Sequence, residues 1–359
     1  MTVWAPYMEW AKMRPAARFD LAGSNLLGCT LEDLAGGLDG IGLDGPNREG
    51  WPPLVEAIAE RYGVPTDSVA TAPGCTGANL LAFAALIRPG DEVVVEQPAY
   101  DPLLGTLRLL GANIIRFERR WEDGWAVDPE RVRAVTTSRT RLIVLTSPHN
   151  PTGVLVPGAI LDDLARLARD LRGGARVLVD EVYLDAVYEG RPPPAATFDE
   201  AFVTTNSLTK AYGLSGLRAG WVLASPAVAR AARRVRDVVD VSGAFPAEHL
   251  ARVAFARLDA LEARARAILE PNARRLADFV GSRPQLEWVP PDGGTIAFPR
   301  VRGLEDTSSL ADTIYREHST AVVAGAFFDA PAHLRIAYGC DTATLEGGLE
   351  RLAAVLDGL

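Results

Sequence analysis

Short, uniformly apolar runs alternate with amphipathic ones along the first two thirds of the chain. Residues 92–96, 142–145, 176–179, 202–205 and 221–224 are four or five residues long and rich in valine and leucine. They are too short for helices and too apolar to leave one face in water, so they read as strands buried on both faces of a sheet. Residues 112–117 add a further strand. Residues 54–62, 78–86 and 103–110 read as helices, the second nearly all apolar and stopped by Pro89-Gly90. Leu161, Leu164, Leu167 and Leu171 recur at helical spacing, and Gly173-Gly174 can end that helix in the left-handed conformation. Strands and helices in this alternation predict an α/β fold, a mostly parallel sheet with helices on both faces. Ligands of such sheets bind beyond the carboxyl ends of the strands.

The pattern changes near residue 247. An Ala/Arg/Leu-rich helical stretch runs to about residue 280, with a break expected near Pro271. Strands near 286–289 and 294–298 then suggest a smaller α+β unit. The first 40 residues read as an irregular arm holding Trp4, Tyr7 and Trp10, expected to pack on that unit. The resulting division is 1–40 (arm), 41–250 (large α/β domain) and 251–359 (small α+β domain). Gly36-Gly37 and Gly347-Gly348 read as turns, and no internal repeat is evident.

Composition narrows the function classes. Of 359 residues, 48% are hydrophobic and 23% charged, ordinary for a folded chain. A net charge of -9 argues against nonspecific nucleic-acid binding. The four arginines within 230–236 read as a solvated helix face. Cys29, Cys75 and Cys340 are scattered and odd in number, and the four histidines lack ligand spacing, so neither a disulfide framework nor a metal site is expected. No apolar run approaches 18 residues, and Met1-Thr2-Val3-Trp4 does not open a secretory leader. The expectation is a cytoplasmic protein with no membrane partner.

Chemistry concentrates at the ends of the apolar runs. Asp180 closes one of them and is followed by Glu181-Val182-Tyr183. A carboxylate there needs a donor or cation, either an arginine or a protonated ring nitrogen. Lys210 lies in Ser207-Leu208-Thr209-Lys210, eight residues before Arg218, with Gly213, Ser215 and Gly216 between. That loop can fold back to bring a guanidinium and the Ser207 hydroxyl to one phosphate, while the lysine condenses with an aldehyde. Asn150, fixed by Pro148 and Pro151, can donate its amide to a ring oxygen, although the segment is also an adequate turn. Residues 72–78, Ala-Pro-Gly-Cys-Thr-Gly-Ala, precede a helix whose free N–H groups suit a phosphate, with Thr76 as its N-cap. A plain helix cap accounts for that stretch equally.

Together these pieces resemble the class I/II aminotransferases of the fold-type I pyridoxal phosphate enzymes, from about residue 43 to 339. The most specific matches are Asn150-Pro151-Thr152-Gly153, Asp180-Glu181-Val182-Tyr183 and Ser207-Leu208-Thr209-Lys210 with Arg218. The resemblance implies pyridoxal 5'-phosphate as cofactor, amino-acid and 2-oxo-acid substrates, and a homodimer. It makes Lys210 the lysine that holds the cofactor and Asp180 the partner of its ring nitrogen. Asn150 and Tyr183 fall at the ring oxygen, and Tyr100 stacks on the ring. Cys75, Thr76, Ser207, Thr209 and Arg218 fall at the phosphate. Lys210, Asp180 and Tyr183 are the expected catalytic residues. Arg335, in His333-Leu334-Arg335-Ile336-Ala337, resembles the arginine that grips the substrate carboxylate, and Gly23 lies in the segment that closes over substrate.

Two departures stand out: Gly45 occupies the place of a tyrosine that many relatives use on the partner's phosphate, and Cys75 replaces a smaller residue. Phe327, Phe328, Phe245 and Trp4 are candidate pocket walls, which favours a neutral, apolar or aromatic side chain. Histidinol-phosphate-type transfer, suggested by Lys210-Ala211-Tyr212-Gly213-Leu214, and β-elimination are the alternatives. A noncatalytic binding module that kept the fold is another.

Overall fold

A computed structural model describes residues 4–34, 40–171 and 173–358. The strands are β1 (Phe19–Asp20), β2 (Val69–Pro73), β3 (Glu92–Gln97), β4 (Asn113–Glu118), β5 (Thr140–Thr146), β6 (Arg176–Asp180), β7 (Phe202–Ser207) and β8 (Ala219–Leu223), followed by β9 (Leu286–Glu287), β10 (Ile296–Ala297), β11 (Arg300–Val301), β12 (Thr320–Ala321), β13 (Val323–Ala324) and β14 (Leu334–Ala337). The helices are α1 (Pro6–Met13), α2 (Pro52–Tyr62), α3 (Gly74–Leu86), α4 (Asp101–Leu109), α5 (Pro129–Val135) and α6 (Gly158–Asp170), then α7 (Pro226–Val239), α8 (Phe245–Phe255), α9 (Leu258–Gly281), α10 (Ser308–His318) and α11 (Thr342–Leu356).

Seven strands form one sheet in the order β2-β8-β7-β6-β5-β3-β4. Every neighbouring pair from β4 to β7 is parallel, and β8 runs antiparallel to both β7 and β2. The alternation of side chains explains the uniform apolar runs. Val93, Val95, Leu142, Val144, Leu178 and Val203 join the core on the side of α3 and α4. Their neighbours Val94, Ile143, Leu145, Val177, Val179 and Phe202 join the core on the side of α6. Each strand is thus apolar on both faces, as a sheet covered by two helix layers requires.

The N-terminal segment is not irregular: α1 forms within it, and β1 pairs in parallel with β12. Only Tyr7 of α1 is fully buried, so the sequence there carries little periodic signal. Pro271 does not break its helix either. The break falls at Ala256-Arg257, and α9 runs through Pro271 because the buried row Leu261, Ala265, Leu269, Leu276 and Val280 continues across it. Asn272 reinforces that stretch by donating to the carbonyls of Tyr338 and Cys340, at 2.9 Å each.

Gly347 and Gly348 lie inside α11, not in a turn. A Cβ at Gly347 would come within 2.3 Å of the Phe19 ring, and one at Gly348 within 2.6 Å of Leu21. The pair leaves a bare helix face against which β1 lies. Gly36-Gly37 fall outside the described residues. Among the described residues no helix is long and apolar enough to cross a membrane, and no cluster of side chains could hold a metal ion.

Candidate active site

Beyond the carboxyl ends of β5, β6 and β7 lies a cavity of about 500 Å³. All ten side chains expected around the cofactor line it. The sheet brings them together: Asp180 ends β6, Ser207 ends β7, Asn150 follows β5, and Lys210 follows β7.

Asp180 is almost fully buried. It accepts hydrogen bonds from Asn79 Nδ2 (2.8 Å), the Val182 amide (3.1 Å) and the Cys75 thiol (3.3 Å). Burial pushes its pKa up, and the Asn79 hydrogen bond opposes that rise. Thr205 Oγ1 in turn donates to Asn79 Oδ1 at 2.6 Å, which turns the amide nitrogen toward the carboxylate. Asn79 was legible only as the one polar residue of the apolar helix run 78–86.

Lys210 donates to Ser24 Oγ (2.8 Å) and Asn25 Oδ1 (2.7 Å). Burial, with Arg335 nearby, lowers its pKa to about 7. At neutral pH a large fraction of the amine is therefore uncharged and nucleophilic. The two residues that hold it sit just after β1, beside Gly23, and follow from no motif.

Asn150 is set by a buried relay. Its amide N–H donates to Thr146 Oγ1 (2.9 Å), which donates to Glu96 Oε1 (2.7 Å), and Glu96 pairs with fully buried Arg119 at 2.9 Å. Arg335 Nη1 donates to Asn150 Oδ1 at 3.2 Å, leaving the NH₂ as the free donor. His149, fully buried and bonded to Thr152 and the Pro98 carbonyl, has its pKa driven well below the usual range by burial. It serves as a neutral structural contact. Tyr183 has no well-formed partner for its hydroxyl, and burial pushes its pKa up to about 12.

At the other end, α3 starts at Gly74 with φ +75°, and its N-cap is Pro73. Thr76 is the third helical residue, exposed, and makes no cap, since the turn before it is closed by backbone alone. The Cys75 thiol turns toward Asp180, so any anion contact from that residue is through its backbone N–H. Burial raises the thiol's pKa well above the usual value, which keeps it protonated. Arg218, held at φ +49°, donates to the Pro73 and Ser215 carbonyls. A Cβ on Gly74 would lie 2.3 Å from the Arg218 guanidinium, so glycine lets that group lie across the start of the helix.

Arg335 and Gly23 do not line the cavity. Arg335 is fully buried behind Asn150, donates to the Tyr7 hydroxyl and the Ala22 carbonyl, and lies over the Tyr7 ring at 4.9 Å and Phe328 at 4.8 Å. Gly23 joins Ala22, bonded to Arg335, to Ser24, bonded to Lys210. None of Phe327, Phe328, Phe245 and Trp4 lines the cavity. Trp4 is exposed, Phe327 packs on Trp10, and Phe245 packs on Trp51. Phe245 also fills the space beside Gly45, where a Cβ would meet its ring at 2.2 Å. The wall nearest α1 is instead made by Met8 and Lys12.

The donor set fits pyridoxal phosphate. The buried hydroxyls of Tyr183 and Thr209 make no well-formed hydrogen bond among the described residues. The same cavity is lined by a buried carboxylate, Asp180, and by an arginine, Arg218, beside the N–H groups that start α3.

The family model for aminotransferase class I and II matches residues 42–352. Capreomycidine synthase of Streptomyces vinaceus is 33% identical, covering 98% of this chain and 93% of its own. The aspartate/prephenate aminotransferase of Thermus thermophilus is 31% identical, covering 86% of this chain and 82% of its own. The crystal structure of a pyridoxal phosphate-dependent aminotransferase from Streptococcus suis matches with a TM-score of 0.94 at 28% identity, covering 100% of this chain and 99% of that one.

Proposed function

The chain belongs to the class I and II aminotransferases, which are pyridoxal phosphate enzymes, and on that premise we propose that it moves an amino group between an L-amino acid and a 2-oxo acid. The observation that carries this reading is the Lys210 amine, lowered to a pKa of about 7, in one cavity with the buried Asp180 carboxylate.

Pyridoxal phosphate, when bound, supplies an aldehyde and a ring that draws off the electron pair left when the substrate's Cα loses its proton. In our reading Lys210 Nζ would hold that aldehyde, and the same amine, when free, would be the base that accepts the Cα proton and the acid that returns it. Asp180, oriented by Asn79, Cys75 and Val182, would keep a proton on the ring nitrogen. The Asn150 NH₂ and Tyr183 hydroxyl would donate to the ring oxygen, and Tyr100 would cover the ring. Ser207, Thr209, Arg218 and the first N–H groups of α3 would hold the phosphate. The resemblance gives the α-carboxylate to Arg335, which lies behind Asn150 outside the cavity lining and would reach it only through a shift of the Asn150 and Tyr7 contacts, with Gly23 in the segment between Ala22 and Ser24 that would close over it. We also read the protein as a homodimer.

The expectation of a neutral or aromatic side chain loses one of its supports, since the four aromatic walls do not line the cavity. A second reading is a reaction other than transfer, such as elimination from the substrate's β-carbon: one relative whose match spans nearly the whole of both chains is named a synthase and not a transaminase. Single-turnover reactions across a panel of amino acids, without acceptor, separate the two. One equivalent of the matching 2-oxo acid per site, without ammonia, supports transfer. Ammonia released over many turnovers supports elimination.

A further inference from the structure

The chain holds 37 lysines and arginines, and only two of them, Lys12 and Lys210, are lysine. Both line the same cavity. Seventeen of the 359 residues line it, so chance seldom places the second lysine there. Lys210 has a chemical reason to be lysine, because an arginine cannot supply a neutral amine. Lys12 is exposed on α1, in a chain that otherwise uses arginine for its surface cations.

The position of Lys12 is set by α1. Tyr7 of that helix bonds and stacks on Arg335. Met8 takes the Tyr100 hydroxyl at 3.5 Å. Lys12, four residues after Met8, lies on the same helix face, about 6 Å further along the axis. Arg14 just beyond is paired with Asp20, whereas Lys12 makes no ion pair among the described residues. A cation in the last turn of a helix also offsets the helix dipole, but arginine does that equally well.

We propose that Lys12 selects substrates carrying a second anionic group at the far end of the side chain, a carboxylate or a phosphate. This rests on the amino-transfer reading. With the reacting Cα beside Lys210, the substrate chain runs along α1 past Met8, whose thioether covers its methylene groups. The terminal anion meets the Lys12 ammonium at the mouth of the cavity. Lysine suits that place as a compact point charge on a flexible stem.

The test compares kcat/KM within matched pairs, glutamate against glutamine and O-phosphoserine against serine, in the wild-type holoenzyme, Lys12→Met and Lys12→Arg. Wild type is expected to prefer the anionic member of at least one pair by roughly 10- to 100-fold, the worth of one charge-assisted hydrogen bond. Which pair responds tells carboxylate from phosphate. Lys12→Met should bring that ratio close to one, Lys12→Arg should keep most of it, and added salt should shrink it. Preference for the neutral member in both pairs, or a ratio that Lys12→Met leaves unaltered, overturns the proposal. If no amino acid yields a 2-oxo acid, it is the amino-transfer reading that fails. Calorimetric binding of glutarate against butyrate then decides on Lys12 alone: glutarate should bind about 10-fold more weakly to Lys12→Met, and equal binding overturns the role.

Discussion

Asn79→Leu removes the amide that holds Asp180 Oδ2 at 2.8 Å while keeping a similar volume in α3. The carboxylate then loses the main hydrogen bond that opposes its upward shift, so its pKa climbs further. Because Asp180 acts only when ionised, the acid limb of the pH–rate profile should move to higher pH, with kcat down by roughly 10- to 100-fold. Asp180→Ala should cost about 100-fold or more in single turnover, whereas Ser207→Ala should chiefly weaken cofactor binding. Comparable single-turnover rates for the two would contradict the assignment. Lys210 makes a prediction of opposite sense. Its folded pKa, about 7, lies below the usual lysine value of 10.5, so the unfolded chain binds more protons between those values. The cofactor-free protein is therefore penalised at and below pH 7 and recovers as pH rises toward 10.5. Denaturation of the cofactor-free form should find Lys210→Met more stable than wild type at pH 7, by a margin that shrinks toward pH 10. The convergence of Lys210, Asp180, Asn150 and Arg218 was legible because each sits in a local motif at a strand end. Asn79, Ser24 and Tyr7 act on partners far away in sequence, and only Asn79 left a trace, as a polar residue in an apolar helix.

Elements differ in the same way. The central strands were legible because both faces are buried, so every residue carries the signal. The two-residue strands and α1 were not, since their contacts are remote and one-sided. The glycine pair of α11 shows a signal that was visible and misread. Glycine suits a turn, but here it makes room for Phe19 and Leu21. Gly348→Val should push fully buried Leu21 aside and destabilise the protein by about 1–3 kcal/mol, read as a lowered Tm. Gly281→Ala at the exposed end of α9, with nothing within 4 Å, should be neutral or stabilise by up to about 1 kcal/mol. Equal effects would show that β1 does not depend on the bare helix face. The consequence reaches the site, because β1 leads directly into the residues that hold Arg335 and Lys210.

On the scale of the whole molecule, Leu43, Val238, Val239 and Val241 are exposed. The three valines cluster at the end of α7, and Gly42 and Gly45, on either side of Leu43, pack on Phe245 of α8. An apolar surface of this kind beside the site suits a second copy. Light scattering should find about twice 38.4 kDa, and Val238→Asp with Val241→Asp should move the mass toward the monomer. The central claim, that Lys210 holds the cofactor, meets its most direct test in the chain's lysine content. With only Lys12 and Lys210 present, reduction of the cofactor-loaded protein with borohydride followed by peptide mass analysis has two side-chain amines to distinguish. The account predicts one cofactor-sized increment per chain on the peptide carrying Lys210, and none in Lys210→Ala. An increment on Lys12, or no covalent increment at all, would contradict it.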